Sequence, residues 1–325
     1  MRRWSIRIVG GAALLAGAAF AAGWLAFVPS AREPGYAFVA AWGGRGGAPG
    51  RFNDPTGIAL ADGEIFVADA RNGRIQVFDR AGRYKRQFGK PGAGPGALGR
   101  PMNLTVAGGE LYVAEYWNDR VQVFALDGTP LRIIGGPGRG PGRFDAPGGV
   151  AVAANGDLYV ADFHNQRVQH LRADGSFVRQ FGRTGEIGIA GGRFNYPTDV
   201  ALGPGGALYV ADGYNDRIQA FGADGRLLRK WGGPFAMNIH GPFRGWFATV
   251  TGVATDKAGN VFVADFYNHR VQKFAADGTY LTSIGAAGTG PGRFTYPIAV
   301  AVADDGAVFV VDYGNSRVQA WRPRR

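Results

Sequence analysis

Six times along the chain a carboxylate is followed at fixed distances by Asn, Arg and Gln, from Asp69, Asn72, Arg74 and Gln76 in the first copy to Asp312, Asn315, Arg317 and Gln319 in the last. An acid beside an arginine is raw material for acid–base work, oxyanion stabilisation or cation binding. Repetition within one chain argues otherwise, because a group needed in every copy serves the copy. The run Asp-x-x-Asn-x-Arg reads as a tight turn in which the acid accepts backbone N–H groups and pairs with the arginine across the turn. Asp69, Asp162, Asp212, Asp265 and Asp312 are therefore assigned to the scaffold with their arginines, Glu115 being the one variant.

Little chemistry remains outside the repeat. There are four histidines and no cysteine. His164 and His269 fall in turns of non-adjacent copies, His170 on a strand and His240 in a connection, whereas a catalytic zinc needs three converging ligands. Asp199, at the start of a strand, is a lone carboxylate able to bind a cation or a hydroxyl group, and Glu186 lies in a long connection; paired carboxylates are missing. The glycine-rich stretches Gly92 to Gly96 and Gly138 to Gly142 have no helix behind them to aim amides at a phosphate. No catalytic residue, metal or other cofactor is assigned.

The elements that position these residues are read from the same copies. Their centres read IFVADARNGRIQVF from Ile65, LYVAEYWNDRVQVF from Leu111, LYVADFHNQRVQHL from Leu158, LYVADGYNDRIQAF from Leu208, VFVADFYNHRVQKF from Val261 and VFVVDYGNSRVQAW from Val308, at intervals of 46 to 53 residues. Each copy opens with a segment such as GIAL and closes with one such as YKRQFG, four short β-type segments in all. Four strands at this period define a propeller blade. The last copy lacks its fourth segment, and GYAFVAAWG (Gly35 to Gly43) has the form of the missing piece. The expected fold is an all-β six-bladed propeller of four-stranded antiparallel blades, its ring closed by an N-terminal strand that removes the open edge.

The motifs GPGRF, P-x-G-V-A-V, L-Y-V-A-D and N-x-R-V-Q resemble those of the NHL-repeat family over about residues 35 to 321. That resemblance implies a six-bladed propeller and invites comparison with the peptidyl-hydroxyglycine amidating lyases, whose channel zinc is held by histidines just after the proline of each blade's first strand. At those positions this chain has Thr56, Met102, Gly148, Thr198, Thr251 and Ile298, which favours a binding module over an enzyme.

Residues 1–34 form a separate unit: Arg2, Arg3 and Arg7 precede an uncharged run from Ile8 to Val28, ended by Pro29. Its length matches a bilayer core of about 20 apolar residues better than the shorter apolar region of a signal peptide. The positive-inside rule then leaves the propeller, residues 35–321 with a basic tail at 322–325, on the extracytoplasmic side of a cell membrane, or secreted if the segment is cleaved. The net charge of +11 overstates the basicity of the domain, since six of the 36 basic residues lie in the flank and tail, leaving 30 against 25 acids.

Site residues are sought where the blades differ. Turns between second and third strands share one face, the top, with the connections between blades; this face is basic and the opposite one acidic. The top turns also carry rings. Candidate ligand-binding residues there are Arg71, Tyr116, Trp117, His164, Tyr214, Tyr267 and Tyr313, together with Asp199. The connection Pro234 to Thr249 departs from its siblings and adds Phe243, Arg244 and Trp246, either as a binding loop or as a plug of the channel. The function expected is a membrane-anchored extracytoplasmic scaffold that recognises a protein or an anionic envelope polymer, such as a polysaccharide, on this face. The alternatives are a lyase or hydrolase acting in the channel, and a nucleic-acid-binding NHL propeller, which the export signal disfavours.

Overall fold

The computed structural model describes residues 28–324. Twenty-four strands form six four-stranded antiparallel sheets. Blade 1 comprises β2 (Pro55–Ala61), β3 (Glu64–Asp69), β4 (Arg74–Asp79) and β5 (Tyr84–Phe88), and blade 2 comprises β6 (Pro101–Ala107), β7 (Glu110–Glu115), β8 (Arg120–Ala125) and β9 (Pro130–Gly135). Blade 3 holds β10 (Pro147–Val152), β11 (Leu158–Asp162), β12 (Arg167–Leu171) and β13 (Phe177–Gly182), and blade 4 holds β14 (Pro197–Leu202), β15 (Leu208–Asp212), β16 (Arg217–Phe221) and β17 (Leu227–Trp231). In blade 5 are β18 (Val250–Thr255), β19 (Val261–Asp265), β20 (Arg270–Phe274) and β21 (Tyr280–Ile284), and in blade 6 β22 (Pro297–Val302), β23 (Val308–Asp312) and β24 (Arg317–Pro323).

β1 (Tyr36–Gly43) supplies the fourth strand of blade 6, antiparallel to β24 from Tyr36 opposite Pro323 to Gly43 opposite Arg317. The ring thus closes by pairing the two ends of the propeller, as the sequence requires.

The character of each strand reflects its place in the blade. A middle strand is covered on both faces by neighbouring blades, so β3, β7 and β11 are apolar nearly throughout and almost wholly buried. The fourth strands face solvent on their outer side and carry the charged residues: β5 is YKRQF and largely exposed. Apolar clusters lie between blades rather than within them, as where Ile65 and Val67 of blade 1 pack with Phe309 and Val311 of blade 6. The aromatic residue of each GRF motif is driven into these seams. Phe52, Phe144, Phe194, Phe247 and Phe294 are fully buried, and Leu98 of blade 2 takes the same place. Each such side chain contributes about 1.5–3 kcal/mol of burial.

Candidate functional site

The repeated acids are buried connectors. Asp69 Oδ2 accepts from Arg74 Nε at 2.7 Å, Asn72 Nδ2 at 2.9 Å and Gln76 Nε2 at 3.0 Å, while Oδ1 accepts the Asn53 N–H at 2.7 Å. Arg74 also donates to the carbonyls of Ala48 and Arg51, tying the turn to the preceding connection. The arginine-to-acid pairing recurs in all six blades at 2.6–2.8 Å, with no repeated carboxylate exposed. Burial pushes Asp162 and Asp212 up from the usual carboxylate range, and Asp265 up to about 6, against the pull of the paired arginines. Blade 2 fits its longer Glu115 by pairing it with Gly99, whose position has no room for a side chain beside Asn118.

A second latch joins consecutive blades. The N–H of Ala146 donates to Asp119 Oδ1, that of Tyr196 to Gln166 Oε1, that of Thr249 to Asp216 Oδ1 and that of Tyr296 to His269 Nδ1, at 2.6–3.1 Å. The residue before each first strand has positive φ in all six blades: Asp54, Arg100, Ala146, Tyr196, Thr249 and Tyr296 lie between 53° and 58°. None of them is glycine, the conformation is rare for bulky residues, and Thr249 is β-branched. The fold therefore fixes the direction in which these side chains leave the backbone.

The histidines are occupied separately. His269 serves the latch. His170 stacks on Tyr159 with centroids 4.4 Å apart and meets Asp157 Oδ2 at 2.8 Å. His164 lies between Asp145 Oδ1 at 2.9 Å and the Tyr116 hydroxyl at 3.1 Å. His240 is exposed in the Pro234 to Thr249 connection, apart from the other three. Among the described residues no group of three or more acids and histidines is placed to hold a metal ion.

On the top face the rings form two arcs flanking the channel. One runs through Tyr116, Phe163, His164, Tyr196 and Tyr214, with Phe163 to Tyr196 at 4.8 Å and Tyr196 to Tyr214 at 5.2 Å. The other joins Phe266, Tyr267, Tyr296 and Tyr313, with Phe266 stacked on Tyr296 at 4.9 Å. Trp117, Tyr214 and Tyr267 are 64%, 49% and 58% exposed, while Phe163 and Phe266 are half-buried between their neighbours. Blade 1 interrupts the arcs with Ala70 and Arg71, the latter paired with Asp54 at 2.8 Å. Arg100, Tyr196 and Tyr296 were not picked out by the turn pattern, because they belong to the connections. Their shared signal is the residue immediately before each first strand.

Two expected site residues are displaced. Asp199 is not on the top face: it is 1% exposed between blades, where the missing side chain of Gly149 leaves it room. Its Oδ2 accepts the Val253 N–H at 2.9 Å, and Oδ1 is buried without a hydrogen bond. Burial pushes this carboxyl up to about 7, the Val253 N–H and the Asn103 side chain pulling the other way. Trp246 is likewise buried, at 5% exposure. It stands where sibling connections have the arginine of GRF: Gln272 Nε2 donates to the Trp246 carbonyl as Gln76 Nε2 does to that of Arg51. The departure of the Pro234 to Thr249 connection is thus confined to its first part. That part does not line the channel cavity but sits at the outer rim, where Phe235, Ala236 and Gly245 share a groove with Pro29, Arg32, Lys230 and Trp231. Phe243 is half-buried, with its ring centroid 5.0 Å from that of Trp246, and Arg244 is exposed.

The NHL repeat matches residues 52–78, 144–171, 194–221, 247–274 and 294–321. This chain is an NHL-repeat protein: five matched repeats on a six-bladed β-propeller. The unmatched blade 2, with Leu98 and Glu115 in place of the usual Phe and Asp, keeps the same architecture. Over 42 residues, 13% of this chain, it is 52% identical to "Protein brain tumor" of Drosophila melanogaster, of whose length the match spans only 4%. Among solved structures it is similar to virginiamycin B lyase from Staphylococcus aureus, at 17% identity over 83% of this chain and 84% of that one, with a TM-score of 0.56. A Bacteroides thetaiotaomicron protein of unknown function gives a TM-score of 0.67 at 16% identity, over 88% of this chain and 76% of that one. At these identities the structural likeness is one of fold.

Proposed function

We propose that the propeller is a binding scaffold that engages a protein or an anionic envelope polymer on its top face while held at the extracytoplasmic side of a membrane. The observation that carries this reading is the pair of ring arcs with Trp117 beside the first: Trp117, Tyr214 and Tyr267 are largely exposed on a face with basic residues free of acid partners. Among the described residues no carboxylate lies within 4 Å of Arg45, Lys90, Arg100, Arg139, Arg143 or Arg244. The acids of the opposite face are by contrast locally neutralised, Glu64 by Lys85 and Arg86, Glu110 by Arg132 and Asp305 by Arg80. Exposed amphipathic rings beside unpaired arginines are the composition of recognition surfaces.

The membrane half of the reading rests on the sequence. The uncharged run from Ile8 lies outside the described residues except for Val28, and among the described residues no helix is long and apolar enough to cross a membrane. Immediately after the run the chain is pinned to blade 5: Arg32 and Glu33 N–H groups donate to the Leu281 carbonyl, and Glu33 pairs with Lys273 at 2.6 Å. The chain therefore enters the propeller beside the Pro234–Ile239 stretch, whose Phe235, Met237 and Ile239 are 69%, 46% and 43% exposed. Apolar side chains next to a membrane anchor are suited to resting on the bilayer.

The test is retention of envelope components by the full chain compared with a Trp117→Ala, Tyr214→Ala, Tyr267→Ala variant. Truncating exposed rings leaves folding nearly unchanged, so loss of bound components supports the top face, and unchanged retention removes it.

A further inference from the structure

At the centre of the top face the channel opens into a cavity of about 230 Å³. Its wall takes one residue from each blade, Thr56, Met102, Gly148, Thr198, Thr251 and Ile298. The three threonines make it less polar than their names suggest. Thr56 Oγ1 donates to the Pro101 carbonyl at 2.8 Å, Thr198 Oγ1 to the Val250 carbonyl at 3.0 Å and Thr251 Oγ1 to the Pro297 carbonyl at 3.4 Å, each hydroxyl reaching the next blade. What remains for a ligand is methyl groups, the Met102 and Ile298 side chains, the rings of Tyr116 and Phe163, and one amide, that of Asn103, whose Oδ1 already accepts the Leu104 N–H. An apolar cavity of about 150 Å³ is enough for benzene, so this one takes a single ring or a branched aliphatic group with a short linker.

The lip of the cavity carries one charge. Arg100 is half-buried and lines the cavity, its guanidinium carbon 5.5 Å from the ring centroids of both Tyr116 and Trp117. No carboxylate lies within 4 Å of it among the described residues. The platform beneath it is fixed: the Tyr116 hydroxyl is held by His164, which is held in turn by Asp145, and Arg100 leaves the backbone at the φ common to all six blades. A guanidinium held over ring faces and short of an acid partner is a preformed fork for a carboxylate, and preorganisation lowers the entropic cost of binding.

We propose that the channel mouth is a binding site for small amphiphilic carboxylates, with an aromatic or branched aliphatic group in the cavity and the carboxylate on Arg100. This site shares Tyr116 and Phe163 with the first arc but lies inside the channel mouth, away from the exposed rings of Tyr214 and Tyr267, so its test does not depend on a macromolecule docking on those rings.

The experiment titrates the full chain with 3-phenylpropionate and with its neutral amide, by calorimetry or ligand-observed NMR. The native protein is expected to bind the acid about tenfold or more tightly than the amide, the difference a charge-assisted contact supplies. Arg100→Gln should erase that preference while leaving amide binding unchanged. Met102→Trp, which fills the cavity, should weaken both, with near-ultraviolet dichroism checking its fold. Equal affinity of acid and amide for the native protein, an unchanged preference in Arg100→Gln, or no binding of the acid up to about 10 mM would overturn the proposal.

Discussion

Asp199 is where one residue departs furthest from its copies. The equivalent positions are Gly57, Asn103, Gly149, Gly252 and Ala299, so five blades bring to that layer of the channel wall either a small residue or a neutral amide. A carboxyl held near pH 7 has its folded value raised above the unfolded one of about 3.9, so the native state keeps a proton that the unfolded chain releases. Stability from this group is greatest below about pH 4, falls as pH rises to about 7, and is flat beyond. Asp199→Asn can still accept the Val253 N–H and has nothing to titrate. The stability of the variant relative to the native protein should therefore rise by roughly 2–4 kcal/mol between pH 4 and pH 8, read as the shift in denaturant midpoint. A difference that does not change with pH would show the carboxyl to be ionised throughout. The sequence marked Asp199 as unusual but grouped it with the ligand-binding residues of the top face, facing the channel. Whether a side chain at the start of an inner strand faces the channel or turns between blades depends on the neighbouring strand, here on Gly149, and no pattern within one blade shows that.

Strands and connections were far more legible, for a reason the blades make plain. Apolar periodicity and the turn residues are copied six times, so a misread strand in one copy is corrected by five others; the closing role of β1 followed from one missing segment. Its seam is testable through Trp42, which packs on Phe78 of blade 1 and Phe309 of blade 6 at 6.1 and 6.3 Å. Trp42→Ala is expected to lower unfolding stability by about 3 kcal/mol in denaturant titrations. Leu131→Ala, at a 46% exposed site on β9, should move it by no more than about 0.5 kcal/mol. Similar losses from both would mean that the closing strand adds little to the ring. The Pro234 to Thr249 connection was the element least legible in sequence. Its departure was evident, but GWF standing in the register of GRF becomes visible only through the Gly245 and Gln272 hydrogen bond that every blade shares.

For the whole molecule, the placement of Pro29 against Gly245 sets how the propeller stands if the preceding segment is embedded in a bilayer. The rim between blades 4 and 5 would lie lowest, and the acidic turns of the far face would stay in water. The chain has no cysteine, so single thiols report position without a background. A spin label on Met237→Cys in vesicle-bound full chain should show the oxygen accessibility of a lipid environment, and one on Ser176→Cys, in a turn of the acidic face, that of an aqueous one. Co-sedimentation of the protein with vesicles tests the anchor separately. Protein left in the supernatant would refute the anchor itself, whereas sedimented protein with an aqueous Met237 label would keep the anchor and refute the orientation. Because the ring arcs and the Pro234–Ile239 stretch share the top side, a lipid-seated rim would also tilt the channel mouth toward the membrane. Ligands would then approach it from the side of blades 1 and 2, where Arg71 breaks the arcs and Arg100 stands at the lip.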